Sequence, residues 1–298
     1  MRRQGRPRAA RVVALVAVGA LSLAPSAARA GSSPLSTPDP GDQTGTAVVQ
    51  SQPRSQSQPR SESRSETRAR AGTPLSGKVV VIDPGHQLGN RNFPAKINRQ
   101  VPAGGFTKPC NTTGTATDGG YPEATFVWQV SRRLAHRLRS LGATVRLTRH
   151  SNRADRWGPC VDVRGRAGNR IPGLGAADLK VSVHGDGSYA AGARGFHVIA
   201  PADRAPWTDD IHRPSLRLAA DVRRGLLRRG FPVANYIAGG DGLDVRSDLA
   251  TLNLSDVPTV MVELGNMRNA GEARVMTSPR GRARYARGLV AGVRAYLG

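Results

Sequence analysis

Lys78-Val79-Val80-Val81-Ile82-Asp83-Pro84-Gly85-His86 joins four apolar β-branched residues to a turn that ends in histidine. A continuous apolar run of this length suits a strand covered on both faces, so a buried strand inside a layered sheet is expected. Pro84-Gly85 stops it. Open α/β sheets place their ligand sites just past the carboxyl ends of their strands, and His86 falls at such an end. A single histidine there also suits an ordinary hydrogen-bonded loop, so the reading depends on what else returns to the same edge.

Downstream, the apolar pattern alternates between the two periods. Phe126, Val127, Val130, Leu134, Leu138 and Leu141 recur at three- and four-residue spacing and predict a helix over 123–140, with Pro122 at its start and Gly142 as its stop. Glu123 at that helix start is favoured by the helix dipole alone. Strands are expected at 143–147, 179–183, 195–199 and 259–262, and helices at 161–171, 214–230 and 278–297. This alternation predicts an α/β fold, a single layered domain with a mostly parallel or mixed central sheet flanked by helices. His184 follows the 179–183 strand as His86 follows the first, and Glu263 follows the last. Between His86 and Tyr121 lies a Gly/Thr/Asn-rich excursion, long for a compact domain.

Upstream, Arg2, Arg3, Arg6, Arg8 and Arg11 precede an apolar run from Val12 to Leu23, and Ala28-Arg29-Ala30 has the small-x-small pattern of a signal-peptidase site. A signal peptide over 1–30 is expected. That run is short for a bilayer crossing, so no transmembrane anchor is expected after cleavage, and the protein is expected to be exported. Residues 31–76 are rich in Ser, Pro, Gln, Thr and Arg, with little to bury, and predict a disordered linker ahead of a catalytic domain at 77–298.

The net charge of +23 divides unevenly. Positions 1–75 hold 11 basic and 4 acidic residues, leaving 33 basic against 17 acidic, or +16, for the rest. A basic exported chain is attracted to anionic wall polymers. Nucleic acid is not expected as a partner, given the expected export and the lack of any nucleic-acid-binding motif. Cys110 and Cys160 are the only cysteines, and in an oxidising compartment they are expected to pair. A loop of that length is worth about 4 kcal/mol in the chain-entropy model.

Strand ends converge along one edge of such a sheet, so His86, His184 and Glu263 can meet there while Glu123 enters from its helix start. Two imidazoles and two carboxylates suffice for a catalytic zinc site with three protein ligands, an open position and a separate carboxylate base. Which carboxylate does which is open at this point.

Four segments, in order, resemble the motifs of the zinc-dependent N-acetylmuramoyl-L-alanine amidases of bacterial cell walls. They are Val80 to His86, Tyr121-Pro122-Glu123, Ala177 to Asp186 and Pro258 to Asn266. The resemblance implies one Zn2+ per chain held by His86, Glu123 and His184, with Glu263 as the catalytic carboxylate. It also implies peptidoglycan or muropeptides as substrate, cut between N-acetylmuramic acid and L-alanine, and an extracytoplasmic, wall-associated monomer. Gly185-Asp186 stands where Ala-Asn is more usual. Two other readings remain beside it: a zinc peptidase cutting within the stem peptide, and a non-catalytic wall-binding protein. His136, His150 and His212 suit surface positions, His197 could face the cleft, and Arg149, Arg164 and Arg246 suit either the site or an arginine-rich surface.

Overall fold

The computed structural model describes residues 72–298. The expected signal peptide and the linker as far as residue 71 lie outside the described residues. In chain order the elements are β1 (Val79–Pro84), α1 (Pro94–Ile97), β2 (Gln100–Pro102), β3 (Thr107–Pro109), α2 (Glu123–Ser140), β4 (Thr144–Leu147), α3 (Val161–Arg166) and β5 (Leu179–Asp186). Then come β6 (His197–Pro201), α4 (His212–Leu227), β7 (Leu243–Arg246), α5 (Ala250–Asn253), β8 (Thr259–Asn266), α6 (Ala270–Thr277) and α7 (Pro279–Leu297). Six strands form one sheet in the order β4-β1-β5-β8-β6-β7, and β2 pairs with β3 in a separate hairpin. The sheet is mixed. Every neighbouring pair in it is parallel except β6 and β8.

β1 lies inside this sheet with all six residues buried, as its apolar run requires. Val80 and Ile82 enter the main core, built with Phe126, Leu134, Leu218 and Leu289 of the long helices α2, α4 and α7. Val79 and Val81 point to the other face, into a smaller cluster with Ile171, Ala177 and Val257. Each fully buried side chain of this kind contributes roughly 1.5–3 kcal/mol, so both faces hold β1 in place. α2 has the bounds its spacing predicts, and its stripe of Phe126, Val127, Val130, Leu134 and Leu138 is entirely buried. Gly142 closes it with φ +96°, a conformation that suits glycine at a helix end.

The differences from the sequence reading are local. Leu75, near the end of the expected linker, is 1% exposed, and its N–H donates to the Leu141 carbonyl at 2.9 Å. The ordered fold therefore begins before residue 77. The excursion after His86 contains a 3-10 turn (Leu88–Asn92), α1 and the β2–β3 hairpin. α3 stops at Arg166 because the chain turns to bury Ile171, whose N–H donates to the Gly175 carbonyl at 2.7 Å. β7, α5 and α6 are short elements that the apolar pattern does not announce.

Lys180 on β5 is fully buried, and its Nζ donates to the Gly165 and Arg164 carbonyls at the end of α3. It thereby ties that short helix to the sheet. Burial of the ammonium lowers its pKa from 10.5 to about 7, against the attraction of Asp83. Between about pH 7 and 10.5 the unfolded chain keeps a proton on Lys180 that the folded chain has released, so this residue makes stability rise with pH across that window. The expected outcome is a gain in unfolding free energy from pH 7 to 9 that exceeds the gain for Lys180→Met by about 2 kcal/mol. Urea titrations of both proteins check it, and parallel pH profiles would disprove it.

Candidate metal centre

Three of the four chemistry-bearing residues meet at one point. His86, Glu123 and His184 each offer one ligand atom, and these atoms lie within 4.8 Å of one another. Glu123 Oε1 is 3.1 Å from His86 Nε2 and 3.0 Å from His184 Nδ1. All three residues are buried.

The backbone explains how they converge. His86 has φ 55°, the one non-glycine residue in the left-handed region among the described residues. Such a conformation persists only where its surroundings enforce it. Arg149 does so here: buried, it donates through Nε to the Pro84 carbonyl at 3.2 Å and through Nη2 to the Gly85 carbonyl at 3.2 Å and the Ala124 carbonyl at 2.9 Å. One guanidinium thus fastens the turn that carries His86 to the helix start that carries Glu123. Glu123 Oε2 accepts from the Thr115 N–H at 2.9 Å, and Oε1 from the Gly185 N–H at 3.1 Å. The β5–β8 pairing shifts between His184 and Asp186, an irregularity of the kind found beside active sites.

His86 Nδ1 donates to the Thr112 carbonyl at 3.0 Å, which turns Nε2 toward Glu123. His184 Nε2 lies 3.1 Å from Arg164 Nη2. Arg164 in turn grips the buried Asp83 carboxylate with two bonds, at 2.8 and 2.9 Å. Burial would raise the Glu123 carboxyl, but the two imidazoles overcome it and hold the group well below the usual carboxylate range. The result is a buried anion facing two imidazole nitrogens, a donor set suited to a divalent zinc-like cation.

Glu263 stands apart from that cluster but in the same cleft. It is the parallel-sheet neighbour of His184 on β8 and the antiparallel neighbour of His197 on β6, so sheet register brings the three residues together. His86, Glu123, His184, Asp186 and Glu263 line a cavity of about 300 Å³, with Lys108 and Pro109 of the hairpin in its wall. Burial, then the charges of Glu123 and Asp186, push the Glu263 carboxyl well above its usual range. Its Oε2 is buried with no hydrogen-bond partner in the protein, and so is His197 Nδ1. Asp186 accepts from the Tyr236 hydroxyl at 2.8 Å.

Cys110 and Cys160 are bonded as expected. His136 and His150 are exposed, and His212 Nδ1 donates to the Pro201 carbonyl at 2.8 Å. Arg149 and Arg164 belong to the site and not to the surface, whereas Arg246 pairs with Asp248 at 2.8 Å. Asp83 and Thr112 escaped the sequence reading. A charged residue next to a fully apolar run was the signal for Asp83, since a buried carboxylate must find a partner.

The family model for N-acetylmuramoyl-L-alanine amidases matches residues 80–295. The chain belongs to that family. It is 45% identical over 224 residues to the N-acetylmuramoyl-L-alanine amidase Rv3717 of Mycobacterium tuberculosis, covering 75% of this chain and 88% of that one. Among solved structures, the amidase Ami1 of Mycobacterium smegmatis is 40% identical with a TM-score of 0.67, over 75% of this chain and 98% of its own. The apo form of Ami1 from Mycobacterium abscessus is 44% identical with a TM-score of 0.68, over 75% of this chain and all of its own. As a member of this amidase family, the chain is a hydrolase of the bond between N-acetylmuramic acid and L-alanine.

In this amidase Gly85 has a steric duty. A Cβ there would come within 2.4 Å of His184 Cε1 and within 2.7 Å of both ring nitrogens. Gly85→Ala is therefore expected to displace the His184 ring and weaken the cluster's affinity for an added divalent cation by about tenfold or more, the usual scale for disturbing a ligand's support. Competition with a chromophoric chelator measures it, and an unchanged affinity would show that the ring tolerates the methyl group.

Proposed function

We propose that this amidase acts on peptidoglycan or its muropeptides as a zinc-assisted hydrolase, with His86, Glu123 and His184 as ligands to one zinc ion and Glu263 as the catalytic carboxylate. The observation that carries the reading is the convergence of three ligand atoms within 4.8 Å beside a carboxyl group driven the opposite way in its protonation. The donor set fits the ion: a buried carboxylate and two imidazoles offer three ligands, and His86 Nδ1 is already committed to the Thr112 carbonyl. Zinc bound there would supply polarisation of the amide carbonyl and a water of lowered pKa.

The chain's own residues divide the remaining work. Glu263 takes the proton of the attacking water on its carboxylate and delivers it to the departing nitrogen of L-alanine. Its raised pKa suits the receiving half of that transfer, because a strongly acidic carboxyl would accept the proton poorly. Glu123 keeps its charge through the cycle, held by the Thr115 and Gly185 amides and the two imidazoles. Cavity walls from the β2–β3 hairpin and the Asp186 strand end confine the substrate amide beside these groups.

All four residues come from one chain, so a monomer suffices for the reaction. Export follows from the leader at 1–30, with cleavage after Ala30, and the linker ahead of Leu75 then tethers a catalytic domain at the wall. Among the described residues no helix is long and apolar enough to cross a membrane.

Metal analysis of the purified protein, paired with digestion of isolated walls, tests the reading. About one zinc per chain is expected in wild type and in Glu263→Gln, by the three-ligand arrangement. Release of peptides with free L-alanine amino ends should fall by at least about a hundredfold in the mutant. New termini within the stem peptide would favour a peptidase instead. Undiminished digestion after exhaustive chelation would end the zinc reading.

A further inference from the structure

A second cavity, of about 200 Å³, adjoins the catalytic one and shares the backbone of Gly114 and Thr115 with it as a common wall. That wall is thin. A Cβ on Gly114 would come within 2.8 Å of Glu123 Oε2 and 2.9 Å of His86 Cδ2, so the cluster of imidazoles and carboxylate lies directly behind it. On the far side, Leu88, Arg91, Thr113, Pro122 and Arg268 line the second cavity, and no Asp or Glu is among its lining residues. With two arginines in its wall and no carboxylate, the cavity is cationic.

Arg268 is held in place there. It stands five residues past Glu263, in the turn between β8 and α6, and its N–H donates to Asn266 Oδ1 at 3.0 Å. The guanidinium carbon lies 4.7 Å from the centre of the Tyr189 ring, and Nη1 donates to Asp118 at 3.1 Å. Water screens that ion pair, because the Asp118 side chain is 74% exposed. Nε is buried without a hydrogen-bond partner in the protein. Arg91, on the 3-10 turn after His86, is exposed. A guanidinium placed by the strand end that carries Glu263, with donors to spare, thus borders the wall behind which the cluster lies.

The charge of the substrate decides which half of it suits such a place. In an N-acetylmuramoyl peptide the lactyl carboxyl is consumed in the scissile amide, so the sugar half is uncharged and every carboxylate belongs to the peptide. We propose that the second cavity is the subsite for a carboxylate of the stem peptide, with Arg268 as a specificity-determining residue and Arg91 as a second cation of the same wall. The proposal rests on peptidoglycan being the substrate, as given under Proposed function. It also sets the direction of binding. The peptide crosses the wall at Gly114 and Thr115, and the sugar stays in the first cavity beside Lys108 and Pro109 of the hairpin. Arginine suits the task, since its outer nitrogens present charged donors in a fixed plane to a carboxylate.

The test uses the full mature chain and two synthetic substrates: an N-acetylmuramoyl-L-alanyl-glutamyl peptide with its carboxyl groups free, and the same compound with carboxamides in their place. Wild type should cleave the free acid with a KM about tenfold lower, the scale of one charge-assisted hydrogen bond, and the ratio should shrink in high salt. Arg268→Gln should bring the two KM values together with kcat little changed, whereas Arg268→Lys should keep part of the preference. Arg132→Gln makes the same charge change at an exposed position of α2 and should leave the preference as in wild type. Equal KM values in wild type, or a preference that survives in Arg268→Gln, would overturn the subsite. Cleavage of neither compound between the sugar and L-alanine would instead overturn the substrate reading beneath it. Should Arg268→Gln not fold, Arg91→Gln decides, because Arg91 is exposed: a weakened preference supports the subsite and a full one overturns it.

Discussion

The carboxylate of Asp83 is the constraint on which this architecture turns. It is fully buried on the central strand β1, where an unpaired charge would be untenable. Three side chains meet it with four hydrogen bonds: Arg164 with two, the Ser182 hydroxyl at 2.7 Å and the Thr148 hydroxyl at 2.6 Å. Those partners belong to α3, to β5 and to the end of β4. Removing one side of a buried pair of this kind typically costs about 3–5 kcal/mol, because the other charge stays behind. The price of burying Asp83 is therefore a fixed geometry: a helix that would not form alone is pinned three residues before His86 begins its work, and its guanidinium ends against His184.

Around that anchor, one cleft holds two glutamates in opposite states. Glu123 faces two imidazoles and two backbone amides, which favour its anion against the cost of burial. Glu263 faces Glu123 and Asp186 across a partly buried space, and Arg246 offsets only some of their repulsion. Environments that push two carboxyl groups apart in this way separate a charge that stays from a proton that moves. The division does not depend on the residues themselves, which are chemically identical, but on which sheet neighbours the register assigns to each. His184 and His197 flank Glu263 on adjacent strands, while Glu123 reaches the cleft from outside the sheet.

Elements whose apolar period is long and clean were legible in the sequence: β1, α2, β8 and α7 all lie within two residues of their expected starts. β5 and β8 run past their expected ends because the ladder continues through His184 and Glu263, polar residues that end an apolar count but not a hydrogen-bonded strand. The hairpin, β7, α5 and α6 were not legible, being three to eight residues long and held by tertiary contacts rather than by a pattern of their own. For Glu123 the two sequence readings prove compatible, since one side chain both starts α2 and joins the imidazole cluster. The arginines were the harder case. In a chain so rich in them, composition cannot separate the buried clamps Arg149 and Arg164 from a surface residue, because burial is decided by carbonyls and carboxylates far away in sequence.

This arrangement splits the centre into a stiff half and a constrained half. His184 and Glu263 sit on neighbouring central strands, where backbone pairing fixes them regardless of what they bind. His86 and Glu123 come from a turn and a helix start, and His86 holds a left-handed backbone that costs a non-glycine residue about 1 kcal/mol or more. That cost is offset by Arg149, whose three carbonyl contacts span the turn and the helix, at the further expense of burying a guanidinium. A fold stabilised for its own sake would have little use for a strained histidine stapled by a buried cation. The expense is intelligible only if the position of the His86 ring is worth more than the local stability given up to hold it, and a ring that must share one point in space with Glu123 and His184 has that worth.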